Sequence, residues 1–204
     1  MSNYHMPTQY ISRTYRDLWT AVGIHKRMET AEKDKNKRLA LRFSTMLLSF
    51  FSFEAYLNHL GERITPEVWS DERNNFNGRN EIAGRRYLGP IGKCQYLQSR
   101  CGIPEETVSA EMGVIKELKQ FRDLLAHGRT EEGTTSYTCP QTDSLEIHTP
   151  EVWQLVNSDI MERAFAAIKS VMTTMHAAAV GAFPDSGLEP SPFVSSFIQI
   201  TDVS

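Results

Sequence analysis

The chain has 204 residues, 40% of them hydrophobic and 23% charged, a composition that suits one well-buried core with extensions and excludes a fibrous repeat or a disordered chain. A formal charge of −3 excludes a global attraction for nucleic acid, so any contact with phosphates has to come from a local cluster of Lys and Arg. Three cysteines, Cys94, Cys101 and Cys139, form no C-x-x-C pair, so neither a disulfide framework nor a zinc knuckle is expected and all three read as reduced thiols.

Met1 to Tyr10 carry no apolar stretch of the signal-peptide kind. The longest apolar run, Phe43 to Phe53, falls well short of the ~20 residues of a membrane span. The expectation is a cytoplasmic protein that does not enter the membrane. From Tyr10 to Glu32, the recurrence of Tyr15, Leu18, Trp19, Val22, His25 and Met28 at three and four residues predicts a first helix with one buried face. After the charged stretch Glu32 to Arg38, a cleaner series follows: Leu39, Phe43, Met46, Phe50, Phe53, Leu57 and Leu60. That seam predicts a second helix serving as the spine of the core.

Between Thr65 and Gly102 the period fades while Asn, Gly and Arg accumulate, which predicts a long irregular connection or one with short helices. Pro104, followed by Glu105 and Glu106, opens a third helix with the apolar face Val108, Ile115, Leu118, Phe121 and Leu125, and Gly128 is placed to end it. Residues 131–148 are a candidate small β hairpin, against which Pro140 speaks. Thr149-Pro150-Glu151 resembles a helix start, and Val152, Leu155, Ile160, Ala164, Ile168 and Met172 carry a fourth helix to about Ala179. The fold class is therefore all-α, a four- to five-helix bundle over residues 1–180, with 181–204 as a tail or arm.

The informative segment is Phe121-Arg122-Asp123-Leu124-Leu125-Ala126-His127-Gly128. At about 100° per residue, Arg122 lies about 40° from Leu118, on the face due to be buried, where a guanidinium needs a partner. Glu54 lies about 40° round from Phe50 on the second helix, inside its apolar arc. Two opposite charges interrupting two apolar faces predict that Glu54 and Arg122 meet or line one semi-buried cleft, with Asn58 one turn further on. His127 would stand at the helix end, within reach of solvent or substrate.

F-R-D-L-L-A-H-G resembles the signature of the HEPN family, an Arg, a polar residue and a His closing the third helix of a four-helix bundle. F-E-A-Y-L-N (Phe53 to Asn58) looks like the second-helix pattern of that family, and P-E-V-W-Q-L (Pro150 to Leu155) is similar to the opening of its fourth helix. The resemblance covers Leu39 to Met172. It implies metal-independent RNA cleavage by a homodimer with a composite active site, without a cofactor. Arg122 would bind the scissile phosphate, His127 act as general acid or base, Glu54 orient the Arg, and Asp123 fill the polar position. It further implies a toxin or defence effector, restrained by an antitoxin or regulatory protein. Arg129 stands where relatives paired with nucleotidyltransferases often carry Tyr, so silencing by nucleotidylation is not expected and phosphate binding at that helix end is strengthened.

Within the long connection, from Arg73 to Arg100, six cations, Arg73, Arg79, Arg85, Arg86, Lys93 and Arg100, face one acid, Glu81. With Phe76, Tyr87 and Tyr96 interleaved, it could track a single strand of RNA whose bases stack on the rings, with Arg85 and Arg86 on its phosphates. Plainer readings stand beside these. Arg122 with Glu54 would serve as a structural ion pair, His127 as a solvated helix-terminal base, and the basic loop as ordinary surface. His5, His25, His59, His148 and His176 have no metal-ligand spacing. On function, the alternative to a ribonuclease is a catalytically silent module of the same family that binds a protein partner or nucleotide. A third reading is a helical regulator that binds small molecules.

Overall fold

The computed structural model describes residues 13–127 and 156–193, which are mostly helical with one small two-stranded hairpin. In chain order they form α1 (Thr14–Ala31), α2 (Lys35–Ile64), α3 (Pro66–Trp69), α4 (Glu72–Asn75), β1 (Asn77–Ile82), β2 (Arg85–Leu88), α5 (Gly89–Arg100), a 3-10 turn (Glu105–Val108), α6 (Ser109–His127) and α7 (Ser158–Ala182). Among these residues no helix is long and apolar enough to cross a membrane.

The spine forms where the apolar seam predicts it. Asp34 caps α2, its carboxylate accepting the Asn36 and Lys37 amides at 2.9 Å each. Met46, Phe50, Phe53, Leu57 and Leu60 are then buried along thirty residues, roughly 45 Å of helix. The α1 helix folds back along α2, and α6 and α7 cover the other side, contributing Ile115, Leu118 and Phe121 and Ile168, Met172 and Met175 to the same core. Burying a side chain of this kind contributes about 1.5–3 kcal/mol, so the seam outweighs any local helix preference.

The face of α1 differs from the expectation at its C-terminal end. Met28 is exposed, and Glu29 is buried in its stead because Arg38 (3.2 Å) and Arg42 (2.8 Å) of α2 both reach its carboxylate. Arg16 is likewise buried. An ion pair at a helix seam overrides hydropathy, which periodicity alone does not anticipate.

Of the two forms expected for the connection from Thr65 to Gly102, it takes the one with short helices, α3, α4 and α5, and adds a hairpin that the spacing does not predict there. The hairpin turns through Ala83 (φ 52°) and Gly84 (φ 77°), with Ile82 opposite Arg85, and two positive φ angles suit the right-handed twist of a two-residue turn. Phe76, Tyr87 and Tyr96 are buried here, 5.5–6.4 Å apart between ring centroids, with Trp69 4.8 Å from Phe76. Trp69 in turn packs so close to α2 that a Cβ at Gly61 would lie 2.1 Å from its ring. These rings are the core of a subassembly, so they cannot stack on bases, contrary to the expectation for this stretch.

The third predicted helix begins later than Pro104. Pro104 precedes the 3-10 turn, and α6 proper starts at Ser109. The helix carrying Ile160 to Met172 starts at Ser158, where Asn157 accepts the Ile160 amide at 2.9 Å, and does not run unbroken from Thr149. Thr149 to Leu155, the hairpin expected near 131–148 and Cys139 lie outside the described residues. Beyond α7, residues 183–193 fold back on α1, with Phe193 5.0 Å from the ring of Trp19.

Candidate functional site

Two charges stand at the border of the apolar seams of α2 and α6. Glu54 follows the buried Phe53 and lies one turn beyond Phe50, while Arg122 follows the buried Phe121. Packing the seams brings the charges together. Arg122 Nη2 donates to Glu54 Oε1 at 2.9 Å, and Nη1 donates to Asp123 Oδ1 at 2.7 Å. The guanidinium carbon sits 5.0 Å from the Phe50 ring centroid, which holds the plane from below. Lys119, one turn back on α6, donates to Asp123 Oδ2 at 2.5 Å. The side chains of Arg122, Glu54 and Asp123 are 24%, 27% and 29% exposed, so the pair is half-buried and still within reach of a solute. Arg122 Nε is buried without a protein partner.

The electrostatics of the pair are uneven. Burial pushes the Glu54 carboxyl above its usual value, and the opposing pull of Arg122 and Lys93 does not restore it. Desolvation therefore exceeds the Coulombic gain. A pair of that sort contributes little to folding, and such pairs are over-represented where a site needs a charge held ready.

Asn58, one turn beyond Glu54, is engaged. Its Oδ1 accepts from Lys93 Nζ at 2.7 Å, and Lys93 also pairs with Glu72. Lys93, read from sequence only as one charge of a basic loop, is buried on α5 and reaches α2 beside Glu54. A helical wheel over Gly89–Arg100 could have found it, because it lies four residues from the buried Leu97, the same spacing that sets Arg122 beside Leu118. Arg85 and Arg86 are exposed on β2, paired with Glu105 (2.5 Å) and Glu81 (3.3 Å), and no recorded contact joins them to Arg122. The stretch from Arg73 to Arg100 is thus less basic in space than in sequence, since the flanking acids Glu72 and Glu105 pair with Lys93 and Arg85.

The α6 helix holds its period through His127, which places that position one turn beyond Asp123 and about 140° round from Arg122. The His127 side chain and Arg129 lie outside the described residues. Among the described residues there is no group of three or more His, Cys, Asp or Glu able to hold a metal ion. What the arrangement offers chemically is an anchored, permanently charged fork facing partly outward, with two carboxylates that orient it. No protein-family model, no curated protein and no solved structure matches the chain.

Proposed function

We propose that this chain is a metal-independent RNA endonuclease of the HEPN type, with Arg122 as its phosphate clamp. The observation that carries the reading is the half-buried Arg122 held between Glu54 and Asp123 on the Phe50 ring, at the helix end that also bears His127. In the reaction the ribose 2′-hydroxyl attacks the adjacent phosphorus. His127 takes or returns the proton, and the 5′ oxygen leaves with a proton, giving a 2′,3′-cyclic phosphate. Arg122 stabilises the charge on the five-coordinate phosphorus with two parallel N–H donors. Glu54 and Asp123 orient it, and Asn58, Arg129, Arg85 and Arg86 bind flanking phosphates. DNA lacks the nucleophile and is not a substrate.

On this reading the protein works in the cytoplasm as a homodimer with a composite site, as a toxin or defence effector restrained by an antitoxin or regulatory protein. The test is incubation of the purified protein with total RNA in EDTA, beside Arg122→Ala and His127→Ala. Cleavage to cyclic phosphate ends by wild type alone is expected. Equal survival of the RNA with all three proteins, at concentrations where the protein is dimeric, removes the enzyme.

One observation favours a second reading, a silent module of the same type that binds a partner protein or nucleotide. Each terminal nitrogen of Arg122 already donates to a carboxylate, so an entering phosphate has to share the guanidinium with Glu54 and Asp123 and meets a partly neutralised cation.

A further inference from the structure

A second set of cations gathers at the opposite end of the α2 seam. Arg13 and Arg16 lie at the start of α1, and Arg63 lies in the last turn of α2. Arg63 is nine residues, or roughly 13 Å of helix, beyond Glu54. The returning segment 183–193 closes over them. Arg16 Nε donates to the Tyr15 hydroxyl and the Pro192 carbonyl, each at 3.1 Å, and Nη2 donates to the Ser191 carbonyl at 3.2 Å. Arg13 and Arg16 both pair with the single carboxylate of Glu189. His176 Nε2 meets the Glu189 carbonyl at 2.5 Å, which places the ring proton on that nitrogen.

The charges here do not balance. Arg13 and Arg16 share one carboxylate, and the neighbouring Arg63 has no ion pair among the described residues. Its guanidinium instead stands beside the segment, where a Cβ at Gly187 would lie 3.8 Å from Nη1. The arginines feel one another: burial first, then Arg16 and Arg63, depress the Arg13 pKa despite the acid in contact. His59, wedged 5.1 Å from the Tyr15 ring, is pushed down to about 4 by burial and by Arg63, Arg13 and Arg16, so it adds no charge near neutral pH. Arg16 is 8% exposed, yet its Nη1 carries no protein partner, and Arg13 Nε is buried in the same condition. Uncompensated donors on a buried cation cost several kcal/mol unless an anion answers them.

We propose that Arg13, Arg16 and Arg63 form a binding site for a small phosphate-bearing anion, inorganic phosphate or a phosphate monoester, in which the Glu189 carboxylate is a built-in competitor. A carboxylate offers one negative charge and two acceptor oxygens. A phosphate dianion offers two charges and at least three acceptors, which matches the excess of two cations and the donors that Glu189 leaves unmet. The Arg fork suits it, and the start of α1, an 18-residue helix, adds amides of the right sign. The ligand enters from the side of Arg13 and Glu189, which are 17% and 26% exposed. It takes the place of the carboxylate and loosens the segment at Gly187, whose φ of 68° makes it a natural pivot.

The test titrates inorganic phosphate into the full chain by calorimetry near neutral pH, with chloride at matched ionic strength as the control, for wild type, Glu189→Gln and Arg63→Gln. Wild type should bind phosphate and not chloride, Glu189→Gln should bind about tenfold more tightly, and Arg63→Gln about tenfold more weakly. Arg63 makes no ion pair among the described residues, so its variant keeps the fold and carries the decision if Glu189→Gln proves unstable. Absence of phosphate binding by wild type at about 10 mM, or an affinity unchanged by Arg63→Gln, overturns the proposal. RNA cleavage does not enter these readouts, so the site stands or falls apart from the ribonuclease.

Discussion

The molecule holds two half-hidden arginine clusters, and they differ in balance. At the middle of the seam, Arg122 and Lys119 meet Glu54 and Asp123, one cation for each acid, all of them partly exposed. At the end of the seam, Arg13 and the deeply buried Arg16 meet Glu189 alone, and Arg63 stands beside them with no ion pair among the described residues. The first cluster is neutral, so an entering anion has to share Arg122 with the two carboxylates that already hold it. The second carries spare charge and spare donors. The lesson is that an arginine's partners, not its presence, decide whether it is set up for turnover, for binding or for structure.

The widest separation is expected in activity. Arg122→Ala should abolish RNA cleavage, about a thousandfold or more, while Arg16→Ala should spare whatever cleavage its remaining folded fraction supports; a cleavage assay normalised to folded protein reads this. Cleavage lost equally in both would erase the distinction.

In stability the order reverses. Arg16→Ala leaves the Ser191 and Pro192 carbonyls without this donor and Glu189 with Arg13 alone, and should cost about 2–4 kcal/mol, whereas Arg122→Ala, at a half-exposed pair, should cost about 1 kcal/mol or less. Urea denaturation compares them directly.

Acid should act on the second cluster first. His59 and His176 are each held at about 4, by burial foremost. The unfolded chain, with histidines near 6.5, therefore binds more protons, so stability is full above about pH 6.5 and is lost as pH falls toward 4. A loss of order 2 kcal/mol across that window, flattened by His176→Gln, is the expected result of urea melts in a pH series. A flat profile in wild type would show that the histidines titrate freely.

The smallest effect belongs to Glu54→Gln. Because the folded pKa of Glu54 is raised, its ionisation lowers stability as pH rises through that value, so the neutral amide should change stability at pH 7 by less than about 1 kcal/mol. Cleavage should nevertheless fall, since the amide orients Arg122 less firmly. A large destabilisation would instead mark Glu54 as the structural half of an ion pair.

Much of the helical frame was legible. The seam from Met46 to Leu60 and the face Ile115, Leu118 and Phe121 are buried as their spacing predicts, and the charge interrupting each seam finds the other. Local pattern fails where partners come from elsewhere. Glu29 is buried because Arg38 and Arg42 reach it, and Lys93 because Asn58 and Glu72 do. Phe76, Tyr87 and Tyr96, spaced like stacking residues in a basic loop, are drawn inward because Trp69 completes an aromatic core with them. Burial of a ring removes more unfavourable surface than any local preference can oppose.

By itself the sequence determined that the four long helices exist and that Glu54 and Arg122 would meet or line one cleft, because a helical period of 3.6 residues turns spacing into faces and apolar faces must pack. Only the tertiary structure decided that Asp123 shares Arg122, that Lys93 backs Asn58, and that the segment after α7 carries Glu189 to the start of α1 across 176 residues of chain. Long-range ion pairs depend on where the core brings backbones together, and no local spacing encodes that.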